Sequence, residues 1–276
     1  MTWKTLGAVF PGELREARLQ LHWAAQSVSA PGTSLLPAQA DDSHTNLGWD
    51  SKFGVLAGRN VSGQPAQAAL VFEALELLVI DGGRERSSMR LAGHTLQQAL
   101  AWLGEEIAGD ASALSLPNYE MPSHAIGEGG VFSDARADAR TELAAWFANA
   151  FGSIREVVSA DPAASPVRCW PHHFDVASLI TLDAGVGSEE ARSIGVGFSP
   201  GDGSYDQPYF YVTPWPYPDT EDLPSLTAGA HWHREGWTGA VLTAERLISV
   251  PFAEQQRTAH EALERAVSAC REVLGA

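Results

Sequence analysis

Apolar positions along the chain follow a helical period in four places. Leu14, Ala17, Leu21, Ala24 and Val28 predict a helix over residues 12–28. Leu96, Leu100, Leu103 and Ile107 predict a second. Thr95 and Gln98 form a capping-box pair at its start, and Gly109 supplies a stop. Leu143, Phe147, Phe151, Ile154 and Val158 mark a third helix, running from an N-cap at Ser133 to about residue 159. Leu263, Val267, Cys270 and Leu274 mark a fourth, from Pro251 to Leu274.

Between these helices the pattern changes. Residues 30–50 are rich in Pro, Gly, Ser and Asp and read as loop, and Lys52 to Gly58 reads as a short strand. The apolar, β-branched stretch 69–83 ends in Asp81-Gly82-Gly83, which predicts a hairpin. From Val167 to about residue 250 the chain reads mostly as strand. The elements together predict an α+β fold, a largely antiparallel sheet system with three to four packed amphipathic helices. We expect a single compact unit over 1–276. The order of elements suggests two related halves, 11–110 and 165–274, joined by the helix 133–159. The identity between them is too thin to establish a duplication.

Composition narrows the function classes. Of the 276 residues 45% are hydrophobic and 19% charged, as in a globular protein. Lys plus Arg number 18 against 34 Asp plus Glu, giving a formal net charge of −16. Such a surface repels phosphate backbones and anionic lipid, and no Lys/Arg run offsets it locally. Nucleic acid and membrane are therefore not expected as partners. The apolar stretch Leu6 to Phe10 is too short for a secretory signal. Two cysteines without paired spacing, Cys169 and Cys270, fit a reducing, cytoplasmic compartment.

Two familiar motifs fail on inspection. Gly197-Phe-Ser-Pro-Gly201 matches the nucleophile-elbow pattern, but Pro200 lacks the N–H that would face the oxyanion. Gly195-x-Gly197 lacks the third glycine of a dinucleotide loop.

PYFYVTPWPYP (208–218) is the most informative segment. If extended, it puts Tyr209, Tyr211, Thr213, Trp215 and Tyr217 on one face. Pro214, Pro216 and Pro218 fall in the other register and remove every donor from one lateral edge of 214–218. That predicts an edge strand or an arm leaving a sheet. The aromatic row suits stacking on a sugar, a base or another flat ligand. Covering the protein's own core or a subunit interface is the commoner use of aromatics.

AHWHREGW (230–237) places His231, His233, Glu235 and Trp237 on one extended face. PHHFD adds His172, His173 and Asp175, with His173 and Asp175 on one face by strand alternation. Imidazoles at i and i+2 with nearby carboxylates can hold a divalent Zn, Mn or Fe ion, although the spacing matches no established metal motif. His22 occupies the first-half position corresponding to PHHFD.

Several of these pieces resemble a bacterial family of domains of unknown function. They are Leu21-His22…Gln26, Ser165-Pro166-Val167…Phe174-Asp175, Gly197-Phe198-Ser199-Pro200-Gly201 and the Tyr/Pro-rich segment 208–218. PHHFD carries more histidine than that family's pattern. The resemblance implies a shared fold and transfers no catalytic residue.

Three functions follow from the residues. One is small-ligand binding in a cleft lined by Trp170, Tyr209, Tyr211, Trp215, Trp232 and Trp237. The second is a metal-dependent hydrolase built on His173, Asp175, His231 and His233, with His172 and Glu235 as further ligands. In the third, the aromatics bury a homo-oligomer interface.

Overall fold

The computed structural model describes residues 2–61, 66–186 and 190–276. It is an α+β fold with antiparallel sheets. Helices are α1 (Arg15–Leu35), α2 (Leu96–Ala108), α3 (Ala137–Val158), α4 (Ala244–Ile248) and α5 (Phe252–Leu274). Strands β1 to β5 are Gly48–Asp50, Val55–Ala57, Ala66–Val71, Glu76–Asp81 and Arg84–Arg90. Strands β6 to β11 are Arg168–Trp170, Asp175–Thr181, Ser193–Ser199, Tyr209–Trp215, His231–His233 and Gly239–Thr243. No helix among the described residues is long and apolar enough to cross a membrane.

The chain divides into two compact units. The first comprises Glu13–Ala144 and Arg168–Phe174; the second comprises Met1–Gly12, Ala145–Val167 and Asp175–Ala276.

In the first unit β1 to β5 form an antiparallel meander, in sequence order. Val55, Ala57, Ala69, Leu78 and Ile80 pack together as an apolar cluster. By strand alternation Leu56, Leu70 and Leu77 point to the opposite face and are also buried. Helices α1 and α2 pack on β3 and β4. The predicted hairpin lies at Asp81–Arg84, and a second tight connection, at residues 72–75, divides the stretch read as one apolar run. The capping box forms as read: Thr95 Oγ1 accepts the Gln98 N–H, the Gln98 side chain accepts the Thr95 N–H, and Gly109 closes α2 at φ +68°.

Two helix limits differ from expectation. Helix α1 continues through Pro31 and Gly32 to Leu35, where a loop was predicted. The backbone of His44 passes so close to Gly32 that a Cβ there would stand 2.2 Å from the His44 oxygen. Packing, not local propensity, holds this turn helical. Helix α3 starts at Ala137 rather than after Ser133. The Ser133 N–H is bound by Gln20 Oε1, and its hydroxyl accepts the Ala135 N–H, a short local turn preceding the helix.

In the second unit the strands run in the order β10-β11-β9-β8-β7, all antiparallel. The inner face carries Val176, Val196, Phe198, Phe210, Val212 and Leu242, all buried. Trp146 of α3 stacks on Phe198 at 5.9 Å, and Phe147 meets the same ring edge-on at 5.5 Å. Helix α5 covers β8, β9 and β11. Burying such rings contributes roughly 2 kcal/mol each. Cys270 sits in this core, where burial pushes its thiol up to about 12. No disulfide joins it to Cys169.

The predicted edge strand is instead interior along its first half. Tyr209 to Val212 pair with β11 on one side while the whole of β9 pairs with β8 on the other. The prolines explain where this stops. Pairing with β11 ends at Val212, two residues before the first missing donor at Pro214.

Candidate functional site

The outer face of the second unit's sheet is where chemistry gathers. Strand register aligns Ala177, Gly197, Tyr211, Val241 and His231 across five strands. Gly195 stands opposite Thr213 and His233 opposite Gly239. The glycines leave room for rings to lie down on the sheet. A Cβ at Gly197 would stand 2.2 Å from the Tyr211 ring, and one at Gly239 would stand 2.6 Å from the Trp237 ring. At Gly195 it would meet Thr213 Oγ1 at 2.8 Å.

The rings on this face form a connected group. Centroid separations are 6.0 Å for Tyr209–Tyr211, 6.5 Å for Tyr211–Trp237, 4.2 Å for Trp237–His233 and 4.9 Å for Tyr205–Tyr209. Two carboxylates fix the tyrosines. Tyr211 donates its hydroxyl to Asp175 Oδ2, and Tyr209 donates to Asp202 Oδ2 at 2.5 Å. Burial is the main force holding both hydroxyls well above the ordinary phenol range, with the adjacent carboxylates adding to it. They therefore remain donors.

Tyr205 sets the proton positions of two histidines. Its hydroxyl lies 3.1 Å from His231 Nε2 and 3.0 Å from His233 Nδ1. His233 Nε2 is 2.7 Å from the carbonyl oxygen of Glu235, which can only accept. Nε2 therefore carries the proton, and Nδ1 of the neutral ring accepts from Tyr205. With its hydroxyl proton committed, Tyr205 oxygen accepts from His231 Nε2–H. The result is a directed chain, His231 to Tyr205 to His233 to the Glu235 carbonyl. Burial lowers the His231 pKa first, and electrostatic repulsion by the His233 imidazole, which acts only when that ring carries a proton, lowers it further.

The residues singled out in the sequence thus separate. Tyr209, Tyr211 and Trp237 come together with Asp175, His231 and His233. Trp215 is 46% exposed and packs edge-on against Tyr217 at 5.4 Å. Trp232 alternates to the other side of β10, where its indole N–H donates to the Pro224 carbonyl at 2.7 Å. The Glu235 side chain is exposed, and only its backbone joins the chain. Trp170, His172 and His173 belong to the first unit.

Residues 171–174 form a turn rather than a strand, closed by the Phe174 N–H on the Trp170 carbonyl at 2.7 Å. Phe174 takes a left-handed φ of +56°, so the alternation expected to align His173 with Asp175 does not exist. His172 packs between Tyr119, at 5.0 Å, and His173, at 4.2 Å. Among the described residues no group of three or more His, Cys, Asp or Glu side chains is arranged to hold a metal ion.

His22 does meet this turn. Its Nε2 is 2.9 Å from the Pro171 carbonyl oxygen, and its ring stacks on Phe174 at 5.2 Å. Burial lowers its pKa to about 4. Ser199 of the rejected hydrolase motif is buried, and its Oγ accepts the Gly201 N–H at 3.1 Å, which closes the Pro-Gly turn.

Tyr205 and Asp202 were not singled out in the sequence. The available signal was their place in the GDGSYD turn between the GFSPG and PYFYVTPWPYP segments. Such a turn hangs over the neighbouring strand ends. No protein-family model, curated protein or solved structure matches the chain.

Proposed function

We propose that this protein binds a small, flat, polar molecule on the outer face of the second unit's sheet. The observation that carries the reading is the glycine clearance at Gly197 and Gly239, which lets Tyr211 and Trp237 lie along the sheet. Rings held this way present a broad π surface at low entropic cost, the arrangement that stacks on a sugar ring, a base or an aromatic amino acid. The chain His231–Tyr205–His233 borders the floor and supplies orienting hydrogen bonds. Segments 197–201 and 208–218, part of the basis for the resemblance to a bacterial family of unknown function, build this face.

The test is saturation-transfer NMR and calorimetry with monosaccharides, nucleosides and aromatic amino acids. At least one class binds, and Trp237→Ala and Tyr205→Phe each weaken it about tenfold or more, the scale of losing one stacking or hydrogen-bonding group. Absence of binding by all three classes, or affinities that neither variant alters, overturns the reading.

A further inference from the structure

The first unit holds a cleft of about 400 Å³ on its own sheet. Its lining includes Asn46, Gly48, Trp49, Asp50, Arg59 and Arg168. In a chain of net charge −16, two arginines sharing one cleft stand out, and their bonding stands out further. Arg86, Arg136, Arg140, Arg192, Arg257, Arg265 and Arg271 each form an ion pair with a carboxylate. Among the described residues Arg59 and Arg168 form none within 4.0 Å; Arg84, Arg90, Arg155, Arg234 and Arg246 form none either but are exposed, whereas Arg59 and Arg168 are partly buried. Arg59 Nε donates to the Ser43 carbonyl at 2.8 Å.

Local structure aims Arg168 into the cleft. Leu47 and Cys169 exchange backbone hydrogen bonds at 2.9 Å, which sets β6 beside the start of β1. Arg168 then lies across Gly48, where a Cβ would stand 3.1 Å from its Nη1. A half-buried guanidinium without a direct ion pair is costly, and a second cation in the same cleft raises the cost. Burial and the charge of Arg59 both depress the Arg168 pKa. Asn46 adds an independent sign. It is only 3% exposed, and its Oδ1 has no hydrogen-bond partner among the described residues. One Asp50 oxygen accepts the backbone N–H groups of Lys52 and Phe53.

We infer that this cleft binds a small organic oxyanion, a carboxylate or a phosphate ester, that also carries a hydroxyl or amino donor. The oxyanion neutralises Arg59 and Arg168, and the donor answers Asn46 Oδ1. Trp49 forms an apolar wall. The volume suits a small molecule rather than a bare ion.

Calorimetry on the full chain tests this with four probes: glycerol 3-phosphate, glycerate, inorganic phosphate and glycerol. The inference requires glycerol 3-phosphate or glycerate to bind with a Kd below about 1 mM, and more tightly than inorganic phosphate or glycerol. Which of the two binds tighter identifies the oxyanion. Arg168→Gln and Arg59→Gln each weaken binding about tenfold or more, while Arg257→Gln on the exposed face of α5 leaves it unchanged. Should Arg168→Gln fail to fold, Arg59→Gln decides alone, because among the described residues the Arg59 side chain makes a single hydrogen bond, to the Ser43 carbonyl. Failure of both organic anions to bind, or affinities unchanged in the arginine variants, overturns the site.

Discussion

The hydroxyl of Tyr211 donates to the carboxylate of Asp175 across an entire intervening strand. Asp175 opens β7 and Tyr211 lies on β9, so the side chains together span two strand spacings, about 10 Å. The path passes over β8 at Gly197, the register partner of Tyr211. A glycine is the only residue there that lets the ring through.

Gly197→Ala therefore strikes the outer face at its centre. The added methyl would overlap the Tyr211 ring, which must swing away from Asp175. We expect a loss of about 1–3 kcal/mol, the usual cost of overpacking. Urea unfolding reads this directly, and an unchanged midpoint would show that the ring does not lie where described. Tyr211→Phe should remove about 1–3 kcal/mol without the steric term, because Asp175 loses that donor.

A second prediction concerns acid stability. His22 is neutral and buried when folded, with a pKa near 4 against 6.5 for a free histidine. Below pH 6.5 the unfolded chain takes up a proton that the folded chain refuses. Stability from this group is complete above pH 6.5 and falls as pH drops towards 4, by about 3 kcal/mol in all. His22→Gln should flatten that part of the profile measured by urea unfolding from pH 7 to 4. A variant profile parallel to wild type contradicts the burial of a neutral His22.

These two sites differ in how far the sequence disclosed them. Features set within one element were legible. Thr95, Gln98 and Gly109 cap α2 as read because each acts within about four residues, and the α+β class followed from apolar periods. The row Tyr209–Tyr211 also survived, since alternation is a property of a single strand. What failed depended on distant partners. Trp170 falls in one unit and Tyr209 in the other, and spacing cannot tell which unit a residue joins. Arg59 and Arg168, 109 positions apart by their residue numbers, are brought together by the Leu47–Cys169 bridge, which leaves no local trace. His173 was misread because one left-handed residue, Phe174, breaks the alternation on which its pairing with Asp175 relied.

The capping box allows a third prediction. Thr95→Ala removes the acceptor for the Gln98 N–H and breaks the reciprocal pair at the head of α2. The expected cost is about 1 kcal/mol. Thr95→Ser should recover most of it, since only the hydroxyl oxygen is used. Equal stabilities of the alanine and serine variants would remove the cap as the cause.

The fourth prediction tests the directed chain through Tyr205. Nitrogen chemical shifts should report His233 as the Nε2–H tautomer at neutral pH, because only that form donates to the Glu235 carbonyl and accepts from Tyr205. His231 should titrate below the ordinary histidine range, held down first by burial and then by the charge of His233. Replacing His233 with glutamine removes the charge and leaves the burial. The His231 midpoint should then move upward without reaching the value of a free histidine. Had the midpoint stayed fixed, the two rings would not be electrostatically linked. A downward move would mean that His233 stabilises the charged form of its neighbour, the reverse of the repulsion between two imidazoles.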